Sequence, residues 1–231
     1  MDYANSTLQS DGSISDIGNS ITHSMLDLAR YSTARYIVGI DEAGRGPIAG
    51  PVAVGVVALP VEFVGGATFR DSKGLPQHKR EVVFGELRQR TAQGAARYAV
   101  AQTGAAAIDR FGIGGAVNRA MARALRHIDI APEECVVLLD GGLRAPAIYR
   151  YQETIIKGDE KVYAIALASI AAKVTRDAYM RRASWRYPQY GFEAHKGYGT
   201  REHYKTLKAH GLCDIHRRSF LKGLTDCKSK V

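Results

Sequence analysis

Apolar positions along the chain fall into short strand-like runs early and longer periodic stretches later. YIVGID (36–41) is a β-branched run ending on acid, and PVAVGVVAL (51–59) places Val at 52, 54 and 56 behind a leading proline. Both predict strands. GAARYAVAQT (94–103) and AIYRYQETI (147–155) predict two more, and the unbroken apolar run CVVLLD (135–140) predicts a strand buried on both faces. FRDSKGLPQHKREVVFGELRQRTA (69–92) predicts a turn and then a helix, with Val82, Val83, Leu87 and Phe84 on its buried stripe. Val117, Met121, Ala124, Leu125 and Ile128 recur at three- and four-residue spacings in a helix over 113–128. The longest helical pattern, 161–184, contains neither Gly nor Pro, and a short helix over 199–211 ends at Gly211. This order predicts an α/β fold, a mixed sheet covered by helices.

Residues 1–35 are rich in Ser, Thr, Asn and Asp around one apolar patch (24–30), which predicts a flexible extension outside the fold. The expected domain is 36–221, with a helical region from about 185 and a tail over 222–231. A chain of 231 residues suits one sizeable domain. Its net charge is +9, and because the first 35 residues hold four Asp against two Arg, the remainder carries +11. Such a cationic domain points to a polyanionic partner, nucleic acid first, although a solvated basic surface gives the same sum. No run approaches the roughly 18 apolar residues of a membrane span, and MDYANSTLQSDGS lacks the basic and apolar regions of a signal peptide. The expectation is a cytoplasmic protein with no membrane partner. Three widely spaced cysteines without a CxxC predict reduced thiols, and Cys135 reads as a buried small hydrophobe.

Acids stand at two strand ends, Asp41 with Glu42 and then Asp140, and a fourth, Asp159, precedes the long helix. Strand carboxyl ends are where open α/β sheets place their chemistry. Neighbouring strand residues point to opposite faces, so Asp41 and Glu42 share a site only if the chain bends, which Ala43-Gly44 permits. Four gathered carboxylates need cations, and an oxygen-only set suits Mg2+ or Mn2+. Two such ions roughly 4 Å apart clamp a phosphodiester for in-line cleavage. Taken singly, each acid could equally be a turn or cap residue.

GIDEAGRGPIAGPV (39–52) places Gly at 44, 46 and 50, one residue too long for a dinucleotide loop. Pro47 and Pro51 interrupt it and a strand follows, so no helix N-terminus meets a pyrophosphate. No GK[ST] marks a phosphate-cradling loop either. Gly44-Arg45-Gly46 instead allows bare amides and one cation to approach a sugar–phosphate closely. The 2′-OH distinguishes RNA from DNA, and a backbone reader could test for it.

IDEAGRGPIAGPV, DSKGL (71–75), VVLLDG (136–141), IIKGDEK (155–161), ASIAAKVTRD (168–177), YPQYGFEAHKGYGTREH (187–203) and HRRSF (216–220) occur in this order, and together they closely resemble the type 2 ribonucleases H (ribonuclease HII) over about 36–221. The resemblance implies a ribonuclease H-like fold with a small C-terminal helical region. It implies an endonuclease that cuts RNA in RNA–DNA hybrids and a lone ribonucleotide in duplex DNA, leaving 3′-hydroxyl and 5′-phosphate ends. Asp41, Glu42, Asp140 and Asp159 match the family's metal-binding carboxylates, for two Mg2+ or Mn2+ ions. Gly44, Arg45 and Gly46 match its reader of the 2′-OH and neighbouring phosphate, and Tyr198 the tyrosine that stacks on the following deoxyribose. Lys73 and Lys161 are expected phosphate contacts, and His216, Arg217 and Arg218 an extension of the basic surface. A monomer is expected.

The chain departs from the family pattern after Asp159, where Val162 and Ala164 replace usual serines and Tyr163 and Leu167 add bulk. Gly142 and Gly112 stand where Asn is common. These departures put substrate positioning in question, not the carboxylates. Two other readings stay open: a different two-metal nuclease acting on DNA or long hybrids without junction preference, and, because of the altered serine positions, a catalytically silent nucleic-acid-binding domain.

Overall fold

The computed structural model describes residues 34–63 and 75–222. The expected N-terminal extension up to residue 33, Lys73, and the tail from 223 lie outside the described residues. Five strands, β1 (Tyr36–Ala43), β2 (Val52–Pro60), β3 (Arg97–Thr103), β4 (Cys135–Asp140) and β5 (Gln152–Ile155), form one sheet in the order β3-β2-β1-β4-β5. The β1–β2 and β2–β3 pairs are antiparallel, whereas β1–β4 and β4–β5 are parallel, as a mixed sheet requires.

The period-two alternation of these strands sorts two cores. Val38, Ile40, Val52, Val54, Val56, Val137 and Leu139 face α2 (Ala105–Ile128) on one side. Ile37, Val57, Leu59, Val136 and Leu138 face α1 (Gln77–Ala92) and α4 (Tyr163–Arg186) on the other. Alanines on α4 let it lie almost on the sheet. A Cβ at Gly39 would strike the Ala164 carbonyl, and one at Gly55 the Ala168 carbonyl. These two glycines therefore set the helix–sheet distance.

Several elements differ from the sequence pattern. Helix α2 begins at Ala105, not 113, and is broken at Gly112 (φ 70, ψ 166). Only glycine adopts that backbone readily, so an asparagine there would not keep it. Only Gln152–Ile155 of the expected 147–155 strand pairs with β4. The residues before it turn around the Gln152 amide, which accepts from the Ala145 N–H and donates to the Tyr149 carbonyl. The long helix is split: α3 (Gly158–Lys161) is one short turn, and the extended Val162 precedes α4. In α1, Val83 and Leu87 are buried and Phe84 packs edge-on against Tyr98, but Val82 is 59% exposed and off the stripe.

Beyond α4 a third cluster gathers Ile48, Ala49, Met180, Tyr190, Phe192, Leu207 and Leu221. It joins α5 (Phe192–His195) and α6 (Arg201–His210) to the back of the loop after β1. Thr200 caps α6, accepting from the His203 amide. Cys135 is buried and Cys213 partly so, both as free thiols, and burial raises the Cys135 thiol to about 11. No helix among the described residues is long and apolar enough to cross a membrane.

Candidate active site

Parallel pairing of β1 with β4 aligns Ile40 with Leu139, so the next residues, Asp41 and Asp140, leave the sheet at the same end. The β1–β2 ladder continues through Glu42 and Ala43, and the chain turns at Gly44 (φ 90), within the expected Ala43-Gly44 bend. Asp140 Oδ1 accepts the Gly158 N–H at 2.7 Å, which draws the start of α3, and with it the buried Asp159, to the end of β4. Asp41 is 2% exposed; its Oδ1 accepts the Glu42 amide at 2.7 Å, while Oδ2 is buried without a complete hydrogen bond. Burial raises the Asp41 carboxyl to about 7, the Ser169 hydroxyl draws it back, and the charges of Asp140 and Glu42 add to the rise.

Glu42 also lines a cleft of about 300 Å3, together with Gly44, Arg80, Ser169, Lys173 and Tyr198. The exposed Arg45 guanidinium lies 3.3 Å from Glu42 Oε1. Tyr198, 47% exposed, stands beside the glycine loop: a Cβ on Gly46 would sit 3.9 Å from its ring. Gly197 makes that approach possible, since its carbonyl accepts the Ile48 and Ala49 amides and a Cβ on it would strike the Ala49 carbonyl.

A one-way chain of hydrogen bonds fixes the Tyr198 backbone. The Cys213 amide donates to His216 Nδ1 at 2.9 Å, so His216 carries its proton on Nε2 and gives it to His203 Nε2 at 3.0 Å. His203 Nδ1 then donates to the Tyr198 carbonyl at 2.8 Å. Every step needs neutral rings, and burial pushes both histidines down to about 4.

Two arginines read as surface or unremarked are buried. Arg217 is 0% exposed and donates to the carbonyls of Gly50, Arg45 and Gly44 at 2.9, 2.8 and 2.6 Å. Arg176 is 1% exposed and donates to those of Pro51 and Ala49, and to Lys196. The expectation that His216 and Arg217 extend a basic surface is thus corrected: both are interior, Arg217 because the glycine loop's carbonyls need donors and His216 because its ring links the Cys213 amide to His203.

The candidates Asp41, Glu42, Asp140, Gly44, Arg45, Gly46 and Tyr198 thus gather at one end of the sheet, with Asp159 behind Asp140. Lys161 is exposed at the end of α3 and does not line the cleft. Arg80, Ser169 and Lys173 line the cleft beyond the residues expected from the sequence. Ser169 and Lys173 are one helical turn apart, a spacing that signals a shared face. Arg80, on α1, has no such signal. Val162 and Ala164, the departures from usual serines, are buried in the apolar cluster against α4, and Ser169 supplies the hydroxyl at Asp41.

Among the described residues, no three His, Cys, Asp or Glu side chains are already drawn close enough to hold a metal. The donor chemistry nevertheless fits a hard cation: a buried carboxylate oxygen lacking a complete hydrogen bond, on a carboxyl raised in pKa by burial and then by two neighbouring carboxylates, is what a divalent ion would relieve.

The Ribonuclease HII family model matches residues 38–223. A ribonuclease HII of Caldicellulosiruptor bescii is 46% identical over 191 residues, covering 82% of this chain and 88% of that one. Among solved structures, ribonuclease H2 of Pyrococcus horikoshii OT3 is similar with a TM-score of 0.63 at 24% identity, over 80% of this chain and 93% of that one. Bst-RNase HIII in complex with Mn2+ is similar with a TM-score of 0.54 at 17% identity, over 80% and 66% of the two chains. These last two share the fold. A sequence match that starts inside β1 and runs past the C-terminal helices places the chain in the ribonuclease HII family, whose members are ribonuclease H endonucleases.

Proposed function

We propose that this chain cleaves RNA in RNA–DNA hybrids and cuts 5′ of a single ribonucleotide embedded in duplex DNA, leaving 3′-hydroxyl and 5′-phosphate ends. The observation that carries the reading is the placement of a buried, electrostatically strained Asp41 directly before a loop rimmed by Tyr198. Asp41, Glu42, Asp140 and Asp159 are the residues that would hold divalent cations, two in number, and a relative of the same fold is in complex with Mn2+. When bound, such ions supply an activated water and stabilise the leaving oxygen.

The chain's own groups would do the rest. Arg45 and the amides of Gly44-Arg45-Gly46 approach the ribose and its phosphate, where a 2′-OH can accept or donate. Tyr198 offers an exposed ring face for the next sugar. Lys173 and Arg80 place positive charge along the cleft for the phosphate backbone, so binding should weaken steeply with salt. Lys73 and Lys161 are further phosphate contacts in this reading, and the protein acts as a monomer.

The test compares three duplexes, all-DNA, long RNA–DNA hybrid and single-ribonucleotide, with Mg2+ or Mn2+ and mapped product ends. Cleavage 5′ of the lone ribonucleotide, lost in Asp140→Asn while duplex binding persists, is expected. Cleavage of all-DNA duplex at a similar rate, or undiminished cleavage by Asp140→Asn, would refute the reading.

A further inference from the structure

The glycine loop owes its direction to one buried side chain. Arg217 spans the loop from inside, reaching Gly44 and Arg45 at its start and Gly50 at its end. No cis peptide occurs among the described residues. In a trans peptide the carbonyl and the following N–H point opposite ways. Fixing the carbonyls of Gly44 and Arg45 on the buried guanidinium therefore turns the N–H groups of Arg45 and Gly46 away from it. Both residues are exposed, and neither amide donates to any described residue. The amides of Ile48, Ala49 and Gly50, by contrast, are taken by the carbonyls of Gly197 and Ile215. The outward pair is thus left for a ligand.

Arg217 is itself held from both sides. Its own amide donates to the Ile48 carbonyl at 2.9 Å. The next two residues are clamped by Asp109 of α2, which accepts the Arg218 amide at 3.0 Å, the Ser219 amide at 2.8 Å and the Ser219 hydroxyl at 2.6 Å. Burial opposes charge on Asp109, yet these donors outweigh it and hold the carboxyl below its usual range. Burial, then the nearby Arg176, lowers the Arg217 guanidinium to about 9, so it stays charged at neutral pH.

We propose that Arg217 is a positioning residue for ribonucleotide recognition: by taking the Gly44 and Arg45 carbonyls it aims the Arg45 and Gly46 amides at the substrate sugar, and Asp109 fixes Arg217 in turn. The inference rests on the function proposed above. Lysine would keep the charge but lose the fork, which can engage several carbonyls at once. Glutamine would lose both.

The experiment uses the full chain with Arg217→Lys, Arg217→Gln and Asp109→Asn, on a duplex carrying one ribonucleotide. Arg217→Lys is expected to raise KM roughly ten- to a hundredfold, the scale of a small misplacement of a contact group. Its kcat should stay within about twofold and its Mn2+-induced thermal shift should match wild type, because the carboxylates are untouched. Arg217→Gln should be worse, and Asp109→Asn should show a milder rise in KM. A merely structural staple would instead lower kcat and the metal-induced shift together, and that result, or a wild-type KM in a folded Arg217→Lys, overturns the proposal. If wild type leaves the lone ribonucleotide intact, the proposed function fails, and 15N order parameters of the Arg45 and Gly46 amides decide this inference separately. A fall from about 0.85 to below about 0.6 in Arg217→Lys supports positioning. Unchanged values refute it.

Discussion

Asp41→Asn should make the metal-free protein more stable while removing its activity. In the fold Asp41 is almost fully buried, and burial with the charges of Asp140 and Glu42 lifts its carboxyl from 3.8 to about 7. A raised acid means that the folded state binds the proton more tightly than the unfolded state. The ionised form therefore destabilises the fold fully above pH 7, and the penalty fades as pH falls toward 3.8. A rise of about three pH units corresponds to at most about 4 kcal/mol. Asparagine keeps the oxygen that accepts the Glu42 amide and carries no charge, so about 2–4 kcal/mol should be recovered, or roughly 5–10 °C in melting temperature at this size. Thermal unfolding in chelator at pH 8, 7, 6 and 5 tests this. The variant should melt well above wild type at pH 8, with a gap that narrows steadily toward pH 5. Added Mn2+ should raise wild type by more than the variant, because binding to the folded state alone stabilises it. A variant that melts at or below wild type in chelator at pH 8, or a gap independent of pH, would show that Asp41 carries no such strain.

Three other outcomes follow from the same geometry. Tyr198→Ala should lose roughly tenfold to a hundredfold in cleavage at a single ribonucleotide, from about 1–3 kcal/mol of ring stacking, while its Mn2+-induced thermal shift stays intact; equal rates would exclude Tyr198 from recognition. Gly39→Ala should cost about 3 kcal/mol or more in urea unfolding, because the added methyl meets the Ala164 backbone, which has no rotamer to move. His203 and His216 should remain neutral in an NMR titration until near pH 4, and stability should fall as pH drops from 6.5 toward 4, since the unfolded chain takes up protons first. A histidine titrating near 6.5 would contradict the chain of bonds that ends on the Tyr198 carbonyl.

Much of the candidate site is legible in the sequence because strand ends announce themselves. β1 and β4 each finish an apolar run with an acid, and parallel pairing then aligns Asp41 with Asp140, although no spacing in the sequence states that pairing. The loop's glycines were legible as permission for close approach, but not which atoms approach. Gly44, for one, leaves room for the Arg176 side chain behind the loop. Arg217, beside His216 and Arg218, looks solvated in the sequence for a physical reason: nothing there shows that three inward loop carbonyls need its donors. The apolar spacing that marks the helix starts only at Val117, so the sequence does not reveal that α2 begins at Ala105 and runs on across the break at Gly112. Lys161, expected as a phosphate contact, ends the short turn α3 before the extended Val162 and is exposed, outside the cleft lining.

The buried arginines also explain why the loop can be both glycine-rich and ordered. Glycine costs the most entropy to fix, so a loop with Gly44, Gly46 and Gly50 would be a poor reader of a single hydroxyl if nothing held it. Here Arg176 and Arg217 take five of its carbonyls, Gly197 and Ile215 take three of its amides, and β1 enters it still paired to β2. The freedom that glycine brings is removed from behind, leaving its lack of a side chain as the property presented to the ligand. Asp41 lies three residues before Gly44 on the same paired strand, so a shift of the loop against the carboxylates would have to break the β1–β2 ladder or the arginine contacts. In the proposed function this ties recognition of the sugar and of the reacting phosphate to one rigid segment, and loosening Arg217 should weaken recognition without moving the carboxylates.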